Sequence, residues 1–82
     1  MHDTELRDGL LAELCRIAPD VDPATLDPRA PLRAAIDLDS MDFLNLLGAV
    51  HSRFGVEIPD ADAGRLRTLQ DILEYVRARL AA

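Results

Sequence analysis

Apolar residues recur along this chain in three helical stripes, separated by stretches that break the rhythm. Leu6, Leu10, Leu14 and Ile17 form the first stripe, widened by Leu11 and Cys15. They predict a helix from about Thr4 to Ala18, with Asp3 or Thr4 as its cap and Pro19-Asp20 as its stop. Phe43, Leu47, Val50 and Phe54 form the second stripe, flanked by Leu44, Leu46 and Ala49. They predict a helix from Ser40 to Phe54. Gly55 follows as the left-handed closing residue, and Val56 as the apolar residue behind it. Leu69, Ile72, Leu73, Val76 and Leu80 form the third, opened by the capping-box-like Thr68-Leu69-Gln70-Asp71.

The interruptions are as informative as the stripes. Pro19, Pro23, Pro28 and Pro31 forbid a continuous helix between the first two stripes. A loop of roughly twenty residues is long for a compact domain and often marks function. Val21, Leu26, Leu32, Ile36 and Leu38 are spaced through it as anchors to a core. Asp22-Pro23-Ala24-Thr25 has the form of one capped helical turn. Between the second and third stripes, Glu57-Ile58-Pro59-Asp60 reads as an extended connector. Asp60 then caps a short helix over Ala61 to Leu66, weakened by Gly64. The expectation is an all-α fold: one domain over residues 1–82, a four-helix bundle of three main helices and a short third one, with a long first loop.

Composition narrows the function. Hydrophobic residues make up 49% and aromatics only 4%, so the core is aliphatic. Fifteen acids against nine arginines, with no lysine, give a formal charge of −6. Nucleic acid is a poor partner for that balance, because phosphate backbones call for a basic face. Basic protein surfaces suit it better. A single cysteine, Cys15, forms no internal disulfide and points to a reducing compartment. The opening Met1-His2-Asp3-Thr4-Glu5 lacks the charge and apolar run of a secretion signal, and no stretch is long enough to span a membrane. A cytoplasmic monomer is expected.

Few residues offer chemistry. His51 falls on the polar side of the second helix, and nothing orients it toward Ser40. Asp37, Asp39 and Asp42 fail the spacing of a calcium loop: Met41 and Gly48 stand where ligands belong. No catalytic residue and no metal site is assigned. Ser40 is the exception. It sits in Ile36-Asp37-Leu38-Asp39-Ser40-Met41-Asp42-Phe43, at a helix start where backbone N–H groups are unpaired and the dipole is positive. Asp39 reads as the cap, accepting from an N–H near Asp42. Locally, Ser40 is either part of that capped turn or a hydroxyl placed for modification with a phosphate-bearing group.

The wider pattern separates these readings. Asp39-Ser40-Met41 resembles the Asp-Ser-Leu attachment motif of acyl carrier proteins. Pro31-Leu32 is similar to that family's approach loop. Phe54-Gly55-Val56-Glu57-Ile58-Pro59-Asp60 resembles the segment from its second helix to its third, and Thr68-Leu69-Gln70-Asp71-Ile72 the start of its last. The resemblance covers nearly the whole chain. It implies a right-handed four-helix bundle and a 4′-phosphopantetheine joined to Ser40 by a phosphodiester. Asp39 and Met41 would be recognition residues. The implied partners are a phosphopantetheinyl transferase and acyl-loading and acyl-processing enzymes. The protein would be a carrier of acyl thioesters rather than an enzyme.

Two departures qualify the match. Asp37 stands where the family usually has glycine, which predicts a different turn and one more negative charge beside the serine. After Asp42 the second helix offers Asn45, Gly48, His51, Ser52 and Arg53, with no acid until Glu57. Fatty-acid carriers usually carry glutamates there. A specialised fatty-acid, lipid or polyketide pathway therefore fits the chain. The alternatives are a peptidyl carrier of a nonribosomal peptide system and a helical interaction module without a prosthetic group.

Overall fold

Three long helices form where the stripes place them. In the computed structural model, which describes residues 2–81, α1 spans Asp3–Ile17, α3 spans Ser40–Phe54 and α5 spans Leu69–Ala81. Two four-residue helices join them: α2, Leu32–Ala35, and α4, Asp60–Ala63. The fold is the all-α carrier arrangement expected, with one more short helix inside the long first loop. Leu32-Arg33-Ala34-Ala35 are all good helix formers once Pro31 has set the entry angle.

α1 packs against both α3 and α5. Leu6, Leu10 and Leu14 of α1 meet Leu46, Leu47 and Val50 of α3 and Leu69, Ile72, Leu73 and Val76 of α5 in one buried cluster. Each such side chain contributes roughly 1.5–3 kcal/mol by leaving water. Leu32 and Leu38 from the first loop, Val56 behind α3 and Leu66 behind α4 join the same cluster. Val21, Leu26 and Ile36 are half-buried against it, so the loop is anchored throughout. The capped turn at Asp22 also forms: its Oδ1 accepts from the Ala24 N–H at 3.0 Å. Across the loop's far end, Leu32 N–H donates to Arg67 O at 2.9 Å and Gln70 N–H donates to Pro28 O at 2.9 Å. Those bonds, with an isolated antiparallel bridge between Pro31 and Thr68, tie the loop to the start of α5.

Helix ends follow the sequence where side chains decide them. Gly55 adopts φ 70° after α3, and Val56 is buried behind it. At α5 the capping box is reciprocal: Asp71 N–H donates to Thr68 Oγ1 at 3.0 Å, and Thr68 N–H donates to Asp71 Oδ2 at 3.2 Å.

Other details depart from expectation. α1 begins one residue earlier, with His2 at the cap position and no side-chain cap bond, so neither Asp3 nor Thr4 caps it. α4 starts with Asp60 inside the helix, after Pro59, and is shorter than Ala61 to Leu66. Beyond Ala63 the chain continues as tight turns, with Arg65 N–H on Asp62 O and Leu66 N–H on Ala63 O. On α3 the buried line runs through Leu46, Leu47 and Val50, while Phe43 and Phe54 are only half-buried. The helix is rotated so that both rings lie along its flanks. Phe54 lies against Gly9 of α1, where a β-carbon would come within 2.9 Å of its ring. Leu80, placed on the third apolar stripe, is 41% exposed.

Candidate functional site

The site grows from the junction of the first loop with α3. Leu38 is buried and anchors the chain just before the helix. Asp39 follows in extended conformation as the N-cap, and its Oδ1 accepts from the Asp42 N–H at 2.8 Å. Asp39 O accepts the first intrahelical bond, from Phe43 N–H at 2.9 Å. Capping thus falls wholly to Asp39. Ser40, the first residue of the helix, is exposed with its hydroxyl free of that duty.

Asp37 explains how the loop turns into this position. Its φ is 55°, in the left-handed region that favours glycine. Aspartate is among the residues that tolerate it, because a short polar side chain can hydrogen-bond locally. The chain therefore turns here through a backbone conformation that glycine adopts more readily than aspartate.

Arg33, on α2, completes the surroundings. Its Nη2 donates to Ser40 Oγ at 3.1 Å. Beside this pair opens a groove of 490 Å³ between α3 and the α4 region. Its walls are mainly apolar, from Pro31, Phe43, Leu44, Ala63 and Leu66. Arg33 and Arg67 supply cations to its lining, which includes no carboxylate. In a chain of formal charge −6 this is a local reversal of sign.

The residues singled out from sequence separate cleanly. Asp39, Ser40 and Met41 come together at the start of α3, and Met41 is 67% exposed, an apolar side chain presented to solvent. His51 is exposed further along α3, and Cys15 is half-buried on α1. Among the described residues, no group of three or more His, Cys, Asp or Glu side chains is arranged to hold a metal ion. The exposed face of α3 beyond Asp42 presents Leu44, Asn45, Gly48, His51, Ser52 and Arg53. Sequence reasoning missed Arg33. The run of helix formers after Pro31 was the available signal, since a helical turn there lifts Arg33 toward Ser40.

A second polar cluster fixes the groove's far wall. Asp62 of α4 accepts from Tyr75 Oη at 2.7 Å and from Arg79 Nη2 at 3.3 Å, and it also pairs with Arg65. The Tyr75 hydrogen bond and the Arg65 guanidinium hold the Asp62 carboxyl below its ordinary value. The same bond to Asp62 raises the Tyr75 phenol above its own.

Comparison with known proteins gives this geometry a context. A family model described as the phosphopantetheine attachment site matches residues 8–76. The chain is 40% identical over 62 residues to an acyl carrier protein of Thermosynechococcus vestitus, covering 76% of each chain. It is 33% identical over 75 residues to an acyl carrier protein of Thermobifida fusca, covering 92% of this chain and 94% of that one. It is also 28% identical over 67 residues to a meromycolate extension acyl carrier protein of Mycolicibacterium aurum, covering 82% and 69% respectively.

Proposed function

This chain belongs to the acyl carrier protein family, a carrier rather than an enzyme with 4′-phosphopantetheine as prosthetic group, and from that premise we propose that Ser40 Oγ is the atom to which the group is joined. The observation that carries the reading is the division of labour at the start of α3. Asp39 caps the helix, which leaves an exposed Ser40 hydroxyl on a rigid fifteen-residue helix. The residues around it fit a phosphate-bearing arm, with a guanidinium 3.1 Å from Oγ and an apolar groove alongside. When bound, the group supplies a terminal thiol that holds acyl cargo as a thioester.

The chain's own residues have simpler tasks. Asp39 orients the first turn of α3 and is a recognition residue for a phosphopantetheinyl transferase. Met41 offers that enzyme, and the later acyl-loading and acyl-processing enzymes, an exposed apolar contact. The whole of residues 1–82 serves as one monomeric carrier domain of the cytoplasm. Docking on it is brief, which suits charge steering and small apolar contacts more than a large interface.

The pathway is a specialised one for fatty-acid, lipid or polyketide cargo. The exposed face of α3 supports this, because after Asp42 it presents neutral and basic side chains where a basic partner would need acids.

Incubation with a broad-specificity phosphopantetheinyl transferase and coenzyme A tests the attachment. Intact mass is expected to rise by one phosphopantetheine, and Ser40→Ala to abolish the gain while keeping the helical circular dichroism. A gain that survives Ser40→Ala would place the group elsewhere.

A further inference from the structure

We infer that Arg33 is a positioning residue for the phosphodiester at Ser40, an inference that rests on Ser40 being the attachment point. The guanidinium already reaches the reacting oxygen, with Nη2 at 3.1 Å from Ser40 Oγ. It does so from α2, a separate element, so the contact is not a by-product of neighbouring positions on one helix.

Arg33 is also held in reserve electrostatically. Asp37, Asp39 and Asp42 all lie within three residues of Ser40 in the chain. Yet among the described residues the ion pairs engage Arg16, Arg53, Arg65, Arg77 and Arg79, and not Arg33. Asp39 spends Oδ1 on its cap. The guanidinium therefore faces a neutral hydroxyl, with its remaining N–H donors uncommitted to carboxylates.

Modification changes what those donors meet. Once Oγ is a bridging ester oxygen it is a weak acceptor, while the non-bridging oxygens on phosphorus carry the negative charge. A guanidinium beside Oγ is placed to transfer its hydrogen bonds to them, in the planar two-point fashion that lysine does not reproduce. It also offsets the new charge, which enters a neighbourhood already rich in aspartates. The consequence is that the root of the arm is oriented by α2, along the mouth of the groove that Arg33 lines.

The test uses the full chain with and without the arm. In wild-type protein, the Arg33 side-chain N–H resonances are expected to shift on modification, as followed by nitrogen-edited proton NMR. The phosphorus resonance of modified protein is expected to move in Arg33→Gln and to return only partly in Arg33→Lys. Arg7→Gln makes the same charge change on the exposed face of α1 and should leave that resonance in place. An Arg33 signal unchanged by modification, or a phosphorus resonance the same in wild type and Arg33→Gln, would overturn the role. Failure of wild-type protein to gain mass would instead strike the attachment reading, so the two failures are told apart.

Discussion

Asp39 caps α3 and, under the proposed function, is also a recognition residue, two roles that substitution can separate. Its Oδ1 caps α3 through the Asp42 N–H, and its charge lies next to Ser40. Asparagine caps about as well as aspartate, whereas alanine does not. Asp39→Ala is expected to lose about 1 kcal/mol of stability in urea unfolding. Its transferase labelling is expected to slow by about tenfold or more, as followed by mass spectrometry. Asp39→Asn should restore the stability but not the labelling rate. Recovery of both would reduce Asp39 to a cap. The Asp39 cap was legible at this scale because capping is a local event, set by residues within one turn. The backbone of Asp37 was not: its φ of 55° falls between the half-buried Ile36 and the buried Leu38, anchors that local pattern does not place.

The register of α3 carries a sharper test at the scale of the element. Periodicity placed Leu44 and Leu46 alike as flanking residues of one apolar face. In the structure Leu46 is 0% exposed and Leu44 is 56% exposed. Leu46→Ala is therefore expected to cost about 2–5 kcal/mol, and Leu44→Ala no more than about 0.5 kcal/mol. Urea unfolding of the two variants checks both values. If Leu44→Ala changes transferase or partner kinetics at unchanged stability, its exposure belongs to the docking surface. A helix with apolar residues over much of its circumference has no unique inward direction by itself, so the choice fell to its packing on α1 and into the shared core. The short helix α2 was hidden for a related reason. Four residues carry too little periodicity to be seen, and Leu32 stabilises the turn only by reaching the core.

At the scale of the whole molecule, polar ties set how the elements meet around the core. Glu13 is 7% exposed and satisfied by Arg16 at 3.1 Å and by Arg53 of α3 at 3.0 Å. Arg77 of α5 meets Asp3 of α1 at 2.9 Å. Asp62 ties α4 to α5, and with it the groove wall formed by Ala63 and Gly64.

That last tie gives stability a pH dependence at both ends. Asp62 is held below its ordinary value of 3.8, so its contribution is present above that value and lost as pH falls through the lower folded one. Tyr75 is raised above its ordinary 10.0, so its contribution is present below that value and lost as pH rises through the higher folded one. The stability difference between wild type and Tyr75→Phe is therefore expected to be level across neutral pH. It should narrow below pH 3.8 and above pH 10.0, as read by thermal melts. A difference that stays constant into both extremes would remove the bond's part in stability.

The sequence by itself determined the three long helices, the capped start of α3, the left-handed end at Gly55 and the reciprocal cap at Thr68. Each depends on contacts within a few residues, which a linear pattern records. Only the tertiary structure decided which side of α3 faces inward, that Asp37 turns where glycine would, that α2 forms, and that Arg33 lies on Ser40. These follow from loop residues bonding to the start of α5 and burying Leu32 and Leu38. Such long-range closures leave no periodic trace in the chain, yet they put a cation and a groove beside the hydroxyl.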